Sequence, residues 1–228
     1  VWFAVFSLPL FLLVRDRTIP GVSMASAARD GLATLWSTLR GIRRHREIAL
    51  FLIARLFFID GLNTMFAFGA IYAAGTFAMG QGEIFQFAIA LNVTAGLGAI
   101  ALGYMDDRLG SKATILIALA GLMVFGMPLL IVEEKLWFWL LAVPLGLFMG
   151  PTQAASRTLM ARLAPPAMEA EMFGLFAFSG KVTAFLGPAL YAWFTDAFQS
   201  QRAGMATIFV FIVVGAALLL PVREPARD

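Results

Sequence analysis

The sequence predicts an all-α integral membrane protein, and three observations carry that prediction. Of its residues, 61% are hydrophobic and only 14% charged, with a mean hydropathy of +0.85, well away from the soluble average. Six apolar runs are each long enough to cross a bilayer core, which takes about 20 helical residues for about 30 Å. Lys and Arg are unevenly shared between the segments that join those runs, as the positive-inside rule requires. The formal charge of +3 does not indicate a nucleic-acid partner, because seven of the seventeen Lys and Arg fall within Arg15 to Arg46. The chain has no cysteine, which excludes disulfides, thiolate chemistry and Cys-based metal sites. The lone His45 sits in the basic segment, where it is solvated.

Taken in order, residues 1–14 are apolar and end at Arg15-Asp16-Arg17. About 14 helical residues reach only about 21 Å, and no Met precedes them, so this run reads as the truncated end of a transmembrane helix. A signal peptide would need a basic region before the apolar run and a small-residue cleavage site after it. Residues 15–47 read as a cytoplasmic linker. In it Leu32, Leu35, Trp36, Leu39 and Ile42 recur at helical spacing among Arg40, Arg43, Arg44 and Arg46, the pattern of an interfacial amphipathic helix on anionic headgroups.

Residues 48–222 hold the six spans. The first, Ile48 to Ala74, carries Arg55, Asp60, Asn63 and Thr64. A charge at that depth costs about 2.5–3.5 kcal/mol on insertion scales, so these groups face protein or water. Arg55 and Asp60 lie about 140° apart round the helix, so each needs a partner elsewhere. The second span, Ile84 to Met105, has Asn92 and Thr94, then Gly96, Gly98 and Gly103, which allow close helix contact. The third, Ala113 to Val132, is nearly pure hydrocarbon. The fourth, Leu136 to Leu163, contains Gly150-Pro151, read as a kink or a broken hydrogen-bond ladder, followed by Gln153, Ser156 and Arg157. The fifth, Met172 to Thr195, holds Ser179, Gly180, Lys181 and Thr183 before Gly187-Pro188. The sixth, Met205 to Leu220, is apolar throughout, and residues 223–228 form a tail. The Lys/Arg-rich connections and the tail are cytoplasmic, while the opposite loops hold only Lys135 and Arg202.

Between the second and third spans lies Gly103-Tyr-Met-Asp-Asp107-Arg108-Leu-Gly110-Ser-Lys112. This charged, glycine-punctuated turn resembles the signature loop of the major facilitator superfamily. Asp60-Gly61-Leu-Asn63, Ala73-Ala74-Gly75-Thr76-Phe77, Gln153-Ala-Ala-Ser156-Arg157 and Ser179-Gly180-Lys181 are similar to the branch of fungal vacuolar amino-acid effluxers and their bacterial relatives. The resemblance implies the C-terminal six-helix half of a twelve-helix secondary transporter, with a missing N-terminal half as partner. It also implies gating by Gly103, Asp107, Arg108, Gly110 and Lys112, and a bacterial cell-membrane location. In that family helices seven, eight, ten and eleven contact the cavity while nine and twelve lie outside. The polar groups here follow that division.

Depth agrees with it. At about 1.5 Å per residue, Asp60, Asn92, Gln153 and Lys181 lie about 15–20 Å from the cytoplasmic end of their spans, and Arg55 and Arg157 about 10 Å. Secondary transporters bind solute near the midplane. The expected substrate-binding set is therefore Arg55, Asp60, Asn63, Asn92, Gln153, Arg157 and Lys181, centred on an Asp60 and Lys181 pair that a solute carboxylate would separate, with Asp60 taking a coupling proton. The expected function is transport of a small polar solute, an amino acid included, through the lipid bilayer. No cofactor or enzymatic chemistry is expected, since phosphate loops, metal clusters and nucleophile–base arrangements are absent from the sequence. A non-transporting receptor or scaffold, with the polar layer structural, is the alternative.

Overall fold

Prolines and glycines mark where most of the described helices of this chain stop. The computed structural model describes residues 6–8 and 45–225, and the chain divides into units of residues 1–37 and 38–228. In the first, residues 6–8 are helical; the rest of the expected truncated helix, and the expected interfacial helix, lie outside the described residues.

In the second unit, α1 (Arg46–Phe77) ends where Ala78 turns left-handed at φ 50°. Helix α2 spans Gln81–Leu109, with the Gly80 N–H donating to Glu83 Oε2 at 2.9 Å. Helix α3 (Ser111–Gly126) runs into a 3₁₀ turn, Met127–Leu130, at Pro128. Then follow α4 (Lys135–Ala142), α5 (Leu145–Leu163), α6 (Glu169–Ser179), α7 (Leu186–Ala197) and α8 (Gln201–Leu219). Among the described residues, five stretches, 46–77, 81–109, 111–130, 135–163 and 201–219, are long and apolar enough to cross a membrane. The architecture is that of an all-α membrane bundle.

Three expectations change. The fourth span is interrupted at Val143 and Pro144, not at Gly150-Pro151. Pro144 has no N–H and opens α5, whereas Pro151 sits inside α5 without ending it. The fifth span is not one helix: α6 and α7 are separated by turns over residues 180–185. Gly180 is a weak helix former, and Pro188 cannot donate back to residue 184. Of the three glycines expected to bring helices together from the second span, only Gly98 meets a neighbour. A Cβ there would overlap the Leu147 carbonyl, while at Gly96 and Gly103 it would find nothing within 4 Å among the described residues. Leu147 is the residue whose helical bond Pro151 removes, so its exposed carbonyl rests against the helix with no side chain at that point.

In lipid, helices gain little by hiding apolar side chains from one another, so packing and small residues decide association. Helix α1 lies on α8, where Gly215 admits Phe58 and Gly61 admits Ile208, Phe211 and Ile212. Ile115, Leu119 and Leu122 of α3 and Leu159 and Met160 of α5 are fully buried. Tyr72 OH donates to the Leu129 carbonyl at 2.7 Å and Arg202 to that of Val132 at 2.7 Å, which satisfies backbone oxygens where α3 unwinds. Both halves of the broken segment pack against α1, which positions the site.

Candidate functional site

The broken segment must satisfy its backbone without water, and most of it does so through turn bonds. The N–H groups of Lys181 and Val182 reach the Phe178 carbonyl at 2.9 Å each, and that of Leu186 reaches Thr183 at 2.8 Å. Charges on α1 add a bond at each end of the break. Arg55 Nη1 donates to the Phe176 carbonyl at 2.7 Å and to Ser179 Oγ at 2.8 Å, at the C-terminal end of α6. Its guanidinium carbon lies 3.6 Å from the Phe176 ring centroid, a cation–π contact. At the other end, Asp60 Oδ2 accepts the Gly187 N–H at 2.8 Å, near the start of α7. Asp60 is 1% exposed, and its Oδ1 has no hydrogen-bond partner. A side chain at position 187 would overlap the Thr64 hydroxyl, so glycine is what lets α7 come close enough to α1 for this bond.

The partners that Arg55 and Asp60 needed outside their own helix are thus the two facing ends of a broken helix. The expected ion pair between Asp60 and Lys181 is not formed. Asp60 is committed to Gly187, while Lys181 is exposed on the turn between the half-helices.

Next to this brace is an open cavity of about 500 Å³, lined by Arg55, Ile59, Asn63, Gln153, Arg157, Phe173, Phe176, Ala177, Gly180 and Lys181. It gathers Arg55, Asn63, Gln153, Arg157 and Lys181 of the expected set. Asp60 stands behind it. Asn92 lines a separate and mainly apolar cavity of about 160 Å³ with Met65, Phe66 and Tyr72, and its Nδ2 donates to the Ala88 carbonyl of its own helix at 2.8 Å. Phe173, Phe176 and Ala177 are lining residues that sequence reasoning missed. All three lie on α6, within two turns of the break after Ser179; Gly187-Pro188 hinted at a break nearby, but the apolar run through it hid where it falls.

A second polar cluster lies at the signature loop. Helix α2 runs straight through Gly103, Asp107 and Arg108, and the turn is Gly110 alone, at φ 99° and ψ 157°, a conformation essentially limited to glycine. Ser111 Oγ donates to Asp106 Oδ1 at 2.6 Å. The Ser111 and Lys112 N–H groups, at the start of α3, donate to Glu224 at 3.0 and 2.9 Å. Lys112 Nζ reaches the Leu220 carbonyl at 2.6 Å, and Arg162 bridges Glu224 and Asp106. Burial works to raise the Glu224 carboxyl, but the Lys112 N–H, the Arg162 guanidinium and the Ser111 N–H together hold it below the ordinary carboxylate value. Asp107 and Arg108 are exposed. Asp106 is part of the quoted loop, but its link through Arg162 to Glu224 was not expected; the three sit on segments far apart in sequence, and no spacing connects them.

Against known proteins, residues 1–226 match the family described as Vacuole effluxer Atg22 like. The chain belongs to that family. Among relatives of the Atg22-like family, the uncharacterized MFS-type transporter YxiO of Bacillus subtilis is 26% identical over 98% of this chain and 52% of its own length. Autophagy-related protein 22 of Kluyveromyces lactis is 24% identical over 94% of this chain and 48% of its own; that of Cryptococcus neoformans is 26% identical over 96% and 42%. The chain spans about half the length of the curated relatives it matches. This Atg22-like chain is a multi-pass integral membrane protein.

Proposed function

We propose that this chain is the C-terminal six-helix half of an alternating-access secondary transporter that moves a small polar solute, an amino acid among the candidates. The observation that carries the reading is the cavity, where α1, α5 and a broken segment converge polar groups on a space of about 500 Å³. Discontinuous helices near the middle of a bundle are where secondary transporters build their sites. The names of the Atg22-like relatives support transport as the activity.

In this reading Arg55, Asn63, Gln153, Arg157 and Lys181 contact the solute, and Asp60 holds the break. A coupling proton would go to Asp60 Oδ1, which can accept it without losing an existing bond. Asn92 contributes from its separate cavity only after a helix movement. Gly103, Asp107, Arg108, Gly110 and Lys112 act in gating, supported by the bonds that tie Ser111 and Lys112 to the Glu224 tail. The partner is a second six-helix half, and the membrane is the bacterial cell membrane, with linker and tail cytoplasmic.

Proteoliposomes test this. The chain reconstituted with a six-helix partner half gives saturable flux that Arg157→Gln impairs, while the chain alone gives none. Saturable uptake by the chain alone refutes the two-half reading. Solute binding without flux in the complete assembly favours the receptor or scaffold alternative.

A further inference from the structure

The wall of the cavity is charged in one sense only. Its ionisable lining residues are Arg55, Arg157 and Lys181, and it contains no acid. Among the described residues the ion pairs are Lys135 with Glu83, and Arg162 with Asp106 and with Glu224; none involves the three cavity cations. Arg55 spends its hydrogen bonds on neutral oxygens, which leaves its charge uncompensated, and Asp60 is turned away onto Gly187. Three cations around one space cannot ignore one another, and each raises the cost of the others. An anion in the cavity removes that cost.

We propose that the cavity is an anion site, and that its occupant is a small organic anion bearing a carboxylate. The inference rests on the transporter reading only in calling that occupant cargo. Arg157 and Lys181 are exposed and supply the carboxylate contacts. Arg55 is held by α6, so it meets the solute as a fixed charge rather than a mobile fork. Asn63 and Gln153 offer amide contacts, and Ile59, Phe173, Phe176 and Ala177 offer an apolar wall. That wall favours an anion with a carbon skeleton over inorganic phosphate. Binding by this wall needs no cationic group on the solute.

The absence of cysteine provides a clean test in the full chain in nanodiscs. Ala177→Cys places a thiol on the cavity wall, and its reaction rates with an anionic sulfonatoethyl and a cationic trimethylammonioethyl methanethiosulfonate are compared. Focused potentials in charged clefts change local ion concentrations by about 10-fold or more. The anionic-to-cationic rate ratio, normalised to 2-mercaptoethanol, should therefore be about 10 or higher. Adding Arg157→Gln and Lys181→Gln should bring it close to 1, while Arg157→Lys with Lys181→Arg should keep it high. Succinate should slow the anionic reagent; succinamide and putrescine should not. A normalised ratio near or below 1, a ratio that survives both Gln substitutions, or equal protection by putrescine overturns the proposal. Protection by inorganic phosphate but not succinate overturns the organic anion. Because the ratio is read without flux, an anion-selective cavity in an assembly that fails to transport sinks the transporter reading alone. Flux with a ratio near 1 sinks the anion site alone.

Discussion

Arg55 and Asp60 brace opposite ends of one break, so removing either should loosen the same unit. Arg55→Met removes two charge-assisted hydrogen bonds, at 2.7 and 2.8 Å, worth about 1.5–3 kcal/mol each. It also removes the contact over Phe176, worth about 0.5–2 kcal/mol. Against this stands relief of the burial of a charge, about 2.5–3.5 kcal/mol. The net loss centres on about 3 kcal/mol, or about 6–12 °C in the unfolding midpoint for a chain of this size. Asp60→Ala leaves the buried Gly187 N–H without an acceptor, a loss of about 1–3 kcal/mol. Once one end has let go, the other bond constrains little, so the double variant should fall short of the sum by about 1 kcal/mol or more. Thermal unfolding in detergent measures the cycle, and amide exchange over residues 180–187 should quicken in both single variants. Additivity within about 0.5 kcal/mol, or unchanged exchange at the break, refutes the brace.

Three further expectations follow from other contacts. Gly98→Ala should destabilise the chain by driving a methyl into the Leu147 carbonyl, whereas Gly96→Ala, with open space at its Cβ, should gain up to about 1 kcal/mol from helix propensity; equal midpoints would contradict the α2–α5 contact. Glu224 has a depressed folded value, so its contribution is present above its unfolded pKa and is lost as pH falls through the folded one. Unfolding midpoints should therefore drop below about pH 4 less steeply for Glu224→Gln than for the parent, and identical profiles would discount the docked tail. Asp107→Asn should change the rate of flux in the complete assembly while leaving solute affinity within a few fold, and a large affinity loss at unchanged turnover would deny it a gating role.

Much of this was legible in the sequence because charge is expensive in lipid. Arg55 and Asp60 announced themselves by their depth, and their angular separation showed that neither could serve the other. Their partners were not legible, because they are chiefly backbone atoms, a carbonyl at Phe176 and an N–H at Gly187, and residue identity does not signal which backbone groups a break will release. Lys181 was the visible cation at the right depth, hence the expected pair. The break itself was concealed by Val182, Ala184 and Phe185, which continue the apolar run through residues that form turns. At the signature loop, Gly110 was legible as a turn, but Glu224 lies 113 residues from Ser111, and only the fold brings the tail to the start of α3.

The polarity of the brace follows from the ends it holds. The C-terminal end of a helix carries excess negative potential and the N-terminal end excess positive, so a cation belongs at Ser179 and an anion at Gly187. Position 55 meets residues 176 and 179, and position 60 meets residue 187, so α1 and the broken segment run in the same direction. Arg before Asp is therefore the order that fits, and Asp before Arg sets carboxylate against carbonyl and guanidinium against N–H. The swapped chain, Arg55→Asp with Asp60→Arg, keeps net charge, composition and spacing. If the two charges merely offset one another electrostatically, it should be as stable as the parent. If they cap the ends of a broken helix, it should unfold below even the neutral variant Arg55→Met with Asp60→Asn, because the neutral chain only loses favourable contacts while the swapped one acquires repulsive ones. A midpoint for the swapped chain equal to the parent's would refute capping as the reason for these two charges.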